Sequence, residues 1–235
     1  MQALRYFVSF PLCLLRSGGA AILAGLLGVK SRRGGVYDRA GRLFGKRLCD
    51  FNGVRVVVEG RERLRDDRPC VYVANHVSFI DIWALLRELP GTVRFVFKKE
   101  LLEVPIFGRA LVSAGHIRID RQNRAAAFAA YDAAAATIRA GTSAVVFAEG
   151  TRSRDGKLQP FKKGPFVLAI AAQVPVVPIG ISGSHELMPP GRRYPRRGTV
   201  TLRVGPELST AGLVHGDRER LAARAHESMR ALVSG

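Results

Sequence analysis

The amino-acid sequence predicts an α/β fold in which helices flank a single mixed sheet. Two observations favour this fold: short runs rich in β-branched residues recur along residues 54–205, and helix-like runs lie between several of them. Strands that alternate with helices form a sheet whose faces the helices cover. A chain of 235 residues has room for one such domain, since α/β domains of about 200–250 residues are common.

Each predicted strand is short and β-branched, as strands of a covered sheet usually are. The strands are predicted over residues 54–60, 70–75, 92–98, 116–120, 143–149, 174–181 and 199–205. The clearest helix covers residues 121–141, because its alanine content favours a helix and Gly141 suits the position after the last turn. The sequence therefore predicts an α/β domain over residues 50–235 and a separate N-terminal segment over residues 1–49.

The N-terminal segment contains an almost wholly apolar stretch, residues 6–29. Arg16 and the break at residues 17–19 divide it into two runs, each shorter than the roughly 20 residues that a membrane-spanning helix needs. The pattern predicts two helices that lie in a membrane interface. Two alternatives stay open: a single tilted span that tolerates Arg16 near a helix end, and a pair of helices buried in a protein core.

The formal net charge of +18 indicates an anionic partner: nucleic acid, phospholipid headgroups or an acidic protein. Residues 30–47 hold seven basic residues against one acidic residue, directly after the apolar stretch. This adjacency favours binding to an anionic membrane surface. We expect the protein to lie on the cytoplasmic face of the inner membrane. Nucleic acid is not expected, because no stacking platform or recognition motif appears. A second basic cluster, in a Pro/Gly-rich loop, is expected to contact lipid or an acidic partner; it comprises Arg192, Arg193, Arg196 and Arg197.

The three cysteines of the chain form no CxxC pair and are odd in number. Neither a zinc site nor a disulfide framework is therefore indicated, and a reducing compartment is expected. We expect no metal and no cofactor.

Polar residues follow three of the predicted strands, where ligands bind in α/β sheets. They are Asn75, His76 and Asp81 after the second strand, Asp120 and Arg121 after the fourth, and Glu149, Gly150, Thr151 and Arg152 after the fifth. Lys162 and Lys163 add charge just before an apolar helix, whose N-terminus also favours anions. Together these residues predict a phosphate-binding pocket beside a general base.

The general base is predicted to be His76. Asp81 lies five residues further on, so its carboxylate can hold the imidazole in one tautomer and leave the other ring nitrogen free to accept a proton. Structural roles stay open for two of these residues. Asp81 can cap the following helix instead, and Asn75 can serve only the turn.

The motifs resemble those of the glycerolipid acyltransferases. Residues 75–81, NHVSFID, match the NHxxxxD first motif of that family. The second, third and fourth motifs of the family have counterparts, in the same order, at residues 115–121, 147–153 and 174–180. The four segments together span 106 residues. Two further segments, residues 97–100 and 161–166, resemble the corresponding segments of bacterial 1-acylglycerol-3-phosphate acyltransferases.

This resemblance implies acyl transfer from coenzyme A or acyl carrier protein to the sn-2 hydroxyl of 1-acylglycerol-3-phosphate, a lysophospholipid, which gives phosphatidic acid. His76 would then be the base, Asp81 its orienting partner, and Arg121 and Arg152, with Lys162, would bind the phosphate. The residues that would support the motifs are Asn75, Glu149, Gly150 and Thr151.

Other functions stay open. Glycerol 3-phosphate and lyso-ornithine lipid are alternative acceptors within the family, and a basic protein that only binds membranes or nucleic acid is the alternative outside enzymes. A hydrolase that uses Ser78 is disfavoured, because no G-x-S-x-G elbow occurs and residues 180–184 have Ser184 where the last glycine would stand.

Overall fold

The structure, a computed structural model, describes residues 1–64, 66–120 and 124–234, with the backbone alone for residues 124–128. The predicted mixed sheet is confirmed: in this part of the chain seven strands form one sheet, in the order β1-β7-β6-β2-β5-β3-β4. The strands are β1 Val54–Glu59, β2 Val71–Ala74, β3 Val93–Lys98, β4 Ile117–Ile119, β5 Ser143–Phe147, β6 Val176–Ser182 and β7 Gly198–Val204. Only the β6/β7 pair among them is antiparallel.

Helices cover both faces of the sheet. They are α1 Gln2–Cys13, α2 Gly19–Leu26, α3 Val36–Asn52, α4 Ile80–Glu88, α5 Phe107–Ser113, α6 Arg124–Arg139, α7 Gly164–Ala172, α8 Ser184–Leu187 and α9 Arg218–Ser234. Strand β2 shows the layering, since Tyr72 packs with α1, α3 and α4, whereas Val71 and Val73 pack with α6, α7 and α9. All of β2 is buried, because both of its faces meet a helical layer.

The N-terminal apolar stretch differs from the prediction in one respect. Helices α1 and α2 are present, but the break expected at residues 16–19 is a π-helical segment, Leu14–Gly18, so the chain stays helical from Gln2 to Leu26. Gly18 keeps helical backbone angles, with φ −68° and ψ −43°, and so continues the helix; a Cβ there would make only ordinary contact, 3.4 Å from the side chain of Ile106. The helix approaches α5 more closely at Gly25, where a Cβ would lie 2.9 Å from the hydroxyl oxygen of Ser113. By length and composition alone, the 25-residue helix is apolar enough to cross a membrane.

This N-terminal helix lies along the α/β unit, packed against α3 and α5. Its fully buried residues are small and include Ser9, Cys13, Ala21 and Ala24. Tyr6, Phe10 and Leu14 are partly buried and pack against the core beside them. Its outer side is a stripe of exposed large apolar residues, which we term the apolar stripe: Leu4, Phe7, Val8, Leu12, Leu15, Leu23 and Leu26. The predicted domain boundary between residues 49 and 50 falls within α3 and stays a prediction.

A buried ion pair joins α3 to the sheet. Arg94 of β3 donates to Asp38 of α3 over 2.7 Å, and the two side chains are only 4% and 1% exposed. The hydroxyl of Thr92 and the backbone N–H of Gly34 donate to the other carboxylate oxygen at 2.8 and 2.9 Å. The carboxylate thus holds three segments by charge-assisted hydrogen bonds.

We expect Asp38→Ala to lower the free energy of unfolding by about 3–5 kcal/mol, because it leaves the Arg94 guanidinium buried without a counter-charge. Urea denaturation measures the loss. Asp50→Ala is the matched control, since Asp50 also bonds an arginine but its side chain is 45% exposed; its cost should be about 0–1 kcal/mol. Equal losses in the two variants would contradict the role of burial.

Candidate active site

The sheet brings the predicted site residues to one edge. Strands β2, β3, β4, β5 and β6 run in the same direction, so their carboxyl ends lie together. The catalytic turn, defined as residues 75–79, follows β2, and a second loop, residues 148–163, follows β5. Because β2 and β5 pair directly, these loops emerge side by side.

His76 and Asp81 form the hydrogen-bonded pair that the sequence predicts. Nδ1 of the imidazole lies 2.8 Å from Oδ2 of Asp81, and the Asp81 side chain is completely buried. Nε2 makes no hydrogen bond with any residue that the structure describes. The His76 side chain is 13% exposed, so part of the imidazole is accessible from the surface. The arrangement is that of a general base whose tautomer a carboxylate fixes.

A second contact restrains the imidazole ring of His76 at its face. The phenyl ring of Phe147 stacks on the imidazole with centroids 3.8 Å apart and planes 13° from parallel. Phe147 is the last residue of β5, so the strand itself positions this phenyl ring. The imidazole is therefore restrained both by the hydrogen bond at Nδ1 and by contact with its face.

The Asp81 carboxylate makes three further hydrogen bonds. Backbone N–H groups of Val77 and Ser78 donate to Oδ2 at 2.8 and 2.9 Å, and the Ser184 hydroxyl donates to Oδ1 at 2.5 Å. Asp81 thus braces the catalytic turn as well as His76. It does not cap α4, which begins without a side-chain capping hydrogen bond, and its catalytic role stays a prediction. These donors compensate a charge that has no contact with water.

Glu149 ties the two loops to each other. Oε1 accepts the backbone N–H of His76 at 2.6 Å, and Oε2 accepts that of Gln159 at 2.9 Å. Burial raises the pKa of the Glu149 carboxyl to about 7, although the two backbone hydrogen bonds favour the ionised form. Because both oxygens bind backbone groups, Glu149 supports the position of His76 rather than facing a substrate.

The other motif residues serve the backbone or face solvent. The side-chain amide of Asn75 exchanges two hydrogen bonds, of 2.7 and 3.0 Å, with the backbone of Ile181 and so continues the β2/β6 pairing. Gly150 has a φ of +83°, which side-chain-bearing residues rarely adopt, and it permits the tight turn after β5. Thr151 is exposed.

Two of the predicted phosphate-binding cations lie in the loop after β5. Arg152 and Lys162 are exposed, and neither forms an ion pair with a carboxylate in the described residues. The backbone N–H of Lys162 donates to the carbonyl of Ala148 at 2.7 Å, which places this residue beside the end of β5. Lys163 instead pairs with Glu219 of α9. Arg121 lies outside the described residues, and its role stays a prediction.

Sequence reasoning missed two residues that shape the site. Ser184 was considered only as a misplaced residue of a hydrolase elbow, yet it is fully buried and bonded to Asp81. Its separation from Asp81 by 103 residues left no local signal. For Phe147 the sequence contained a weak signal of a role in the site, since this residue is the first of the third motif and directly precedes the loop of residues 148–163.

Comparison with known proteins agrees with this geometry. Residues 55–182 match the family model described as Acyltransferase. The chain is 35% identical over 181 residues to 1-acyl-sn-glycerol-3-phosphate acyltransferase beta of Homo sapiens, covering 77% of this chain and 65% of that protein. It is 33% identical over 216 residues to 1-acyl-sn-glycerol-3-phosphate acyltransferase of Limnanthes douglasii, covering 89% and 75%. The chain thus spans about two thirds to three quarters of the length of these relatives.

The fold is also similar to a solved structure. The crystal structure of the 1-acyl-sn-glycerophosphate acyltransferase PlsC from Thermotoga maritima superposes with a TM-score of 0.78 at 27% identity. The match covers 99% of this chain and 94% of that one. The likeness therefore includes the N-terminal helix as well as the sheet.

We expect His76→Ala to lower the acyl-transfer rate that the sequence motifs imply by about 10²–10⁴-fold, because the proton acceptor is removed. Circular dichroism should show that the variant folds, because Val77, Ser78 and Ser184 still donate hydrogen bonds to Asp81. His185→Ala is the control, as His185 bonds only the carbonyl of Arg154. Activity of His76→Ala near that of the control would exclude the general-base role.

Ser184→Ala should lower kcat by about tenfold, because Asp81 loses a charge-assisted hydrogen bond and holds the imidazole less firmly. The KM for the acceptor should stay unchanged, since Ser184 acts through Asp81. Steady-state kinetics beside Ser182→Ala test this, because the Ser182 hydroxyl lies two residues away and bonds Arg203. A kcat that both substitutions lower equally would refute a specific role for Ser184.

Proposed function

The chain belongs to the Acyltransferase family, and from this premise we propose that it transfers a fatty acyl group from a thioester to the sn-2 hydroxyl of 1-acyl-sn-glycerol 3-phosphate. The product is phosphatidic acid. One observation carries the proposal: the imidazole of His76 is fixed by a buried carboxylate at Nδ1 and has Nε2 free of other described residues. The names of the relatives from Homo sapiens, Limnanthes douglasii and Thermotoga maritima support the choice of acceptor.

The reaction follows from this geometry. Nε2 of His76 removes the proton of the acceptor hydroxyl while that oxygen attacks the thioester carbonyl. The carbon–sulfur bond then breaks, and the leaving thiolate takes the proton back from the imidazolium. Asp81 stabilises the imidazolium between these steps, because its buried charge lies 2.8 Å from Nδ1. The acyl group passes directly to the acceptor, without a covalent intermediate on the protein.

The acceptor's phosphate is assigned to the exposed cations near the site. Arg152 presents a guanidinium that can donate two parallel hydrogen bonds to phosphate oxygens, and Lys162 adds a point charge. Arg121 is proposed as the third group on the strength of its motif. The donor is an acyl thioester of coenzyme A or of acyl carrier protein; both are anionic, as the net charge of +18 favours.

The N-terminal helix is proposed to lie in the membrane interface rather than to span the bilayer. A spanning helix would have to leave α3 and α5, and residues such as Cys13, Ala21 and Ala24 would lose their packing. In the interface the apolar stripe meets the acyl chains while Arg16, which is exposed, reaches the headgroups. We place the protein on the cytoplasmic face of the inner membrane, where acyl thioesters are available.

An acceptor panel tests the function. Purified protein and one labelled acyl thioester are incubated with lysophosphatidate, glycerol 3-phosphate or lyso-ornithine lipid. Labelled phosphatidic acid from lysophosphatidate should form fastest. A clear preference for either of the other acceptors would reject this substrate assignment while leaving the acyltransferase assignment in place, and transfer to none of the three would reject both.

Arg152→Ala should raise the KM for lysophosphatidate by about 10–100-fold, because a charge-assisted contact with the phosphate is lost. The KM for a monoacylglycerol, which lacks the phosphate, should not change. Arg154→Ala serves as the matched control, since Arg154 is also an exposed cation and lies two residues along the loop. An unchanged KM for lysophosphatidate would remove Arg152 from the phosphate site.

A further inference from the structure

We propose that residues 188–197, which we term the arginine loop, bind anionic phospholipid headgroups and hold the catalytic edge of the sheet against the bilayer. The inference rests on the proposed interfacial position of the N-terminal helix and adds a second membrane contact from the other half of the chain. The loop connects α8 to β7 and contains Arg192, Arg193, Arg196 and Arg197.

The backbone of the arginine loop is ordered by its own contacts. The N–H of Arg192 donates to the carbonyl of Pro189 at 3.1 Å, and the N–H of Arg196 donates to that of Leu187 at 2.9 Å. Pro195 is buried, which anchors the middle of the loop. Prolines also limit the freedom of the backbone, so the backbone of the loop needs little further ordering on binding.

The arginine loop lies beside the start of the apolar stripe. The ring of Tyr194 meets the ring of Phe7 edge-on with centroids 6.5 Å apart, and Phe7 is 55% exposed. Nε of Arg197 donates to the side chain of Gln2 at 3.3 Å, and the guanidinium of Arg192 stacks 4.9 Å from the centre of the Tyr194 ring. Cations and exposed apolar side chains thus form one continuous surface.

The charge of this surface is uncompensated. Arg193, Arg196 and Arg197 are exposed, and no carboxylate in the described part of the chain pairs with any of the four loop arginines. Some exposed arginines elsewhere do have a carboxylate partner, as the Arg33–Asp66 pair shows. Unpaired guanidinium groups beside an apolar surface match the bilayer interface, where phosphates lie just outside the acyl chains. An acidic protein would match the charge but not the adjoining apolar stripe.

The arginine loop also touches the catalytic turn. The carbonyl of Met188, its first residue, accepts the hydroxyl of Ser78 at 2.8 Å, and the N–H of Ser78 donates to Asp81. A loop bound to headgroups therefore places the edge that carries His76 at the bilayer surface. That position lets a lysophospholipid acceptor reach the imidazole without leaving the interface.

Vesicle sedimentation with the full chain tests the proposal. The probes are vesicles of phosphatidylcholine alone and of phosphatidylcholine mixed with phosphatidylglycerol. Arg193→Gln/Arg196→Gln should lower the affinity for the mixed vesicles by about twentyfold, through the loss of two arginine contacts with an anionic surface. Its affinity for phosphatidylcholine vesicles should match that of the wild type.

Two further variants separate the possible causes. Arg224→Gln/Arg230→Gln removes the same charge from exposed positions of α9, on the opposite face of the sheet, and should change binding by less than about twofold. Leu4→Ser/Val8→Ser/Leu15→Ser weakens the apolar stripe and should lower the affinity for both kinds of vesicle.

The outcomes distinguish the loop from the helix. Wild-type binding of mixed vesicles by Arg193→Gln/Arg196→Gln would overturn the proposal and leave an acidic protein as the partner of the loop. An equal loss in the α9 variant would also overturn it, because net charge alone would then explain the effect. A loss confined to the loop variant, with the stripe variant binding normally, would support the loop contact and refute the interfacial position of the helix.

Discussion

The buried carboxylate of Asp81 is the group on which the candidate active site depends. It has no contact with water, so its charge has to be compensated inside the protein. The donors are the ring of His76, the N–H groups of Val77 and Ser78, and the hydroxyl of Ser184. One charge thereby fixes the catalytic turn after β2, the start of α8 and the orientation of the imidazole at the same time.

The sheet supplies the geometry that this carboxylate requires. Strands β2, β5 and β6 are parallel neighbours, so their carboxyl ends lie at one edge of the sheet. The catalytic turn, the phenyl ring of Phe147 and the segment leading to Ser184 therefore lie together at that edge. Glu149 and Asn75 then lock the turn to β5 and β6 through backbone hydrogen bonds. Among the polar motif residues, Asn75 and Glu149 thus support the turn, because their side-chain atoms already bond backbone groups. His76 keeps Nε2 free of the described residues and is the proposed base.

The N-terminal helix and the arginine loop are the two parts of the chain that we propose to contact lipid. Small residues on one side of the helix let it pack on α3 and α5, and this leaves the apolar stripe on the outside. The loop between α8 and β7 adds cations where Tyr194 meets Phe7. A site built for a lipid acceptor is thus continuous with the surface proposed to lie on the bilayer.

Much of the fold could be predicted because its signals are local. Each β-branched run that the sequence predicts as a strand is a strand in the structure, and no predicted end differs from the observed one by more than two residues. Glycines are less informative by themselves, since the same residue type ends one helix and packs inside another. Gly141, with a φ of +105°, follows α6, whereas Gly18 continues the N-terminal helix against Ile106.

The sequence by itself determined the strands and the apolar N-terminus, because their patterns are local. It also determined the pairing of His76 with Asp81, because residues five positions apart can meet within a single turn. Only the tertiary structure decided that Ser184 completes the carboxylate's hydrogen bonds, that Lys163 pairs with α9, and that Glu149 binds backbone on both oxygens. These contacts join segments that are distant along the chain. Their partners are set by strand order and packing, which no local pattern contains.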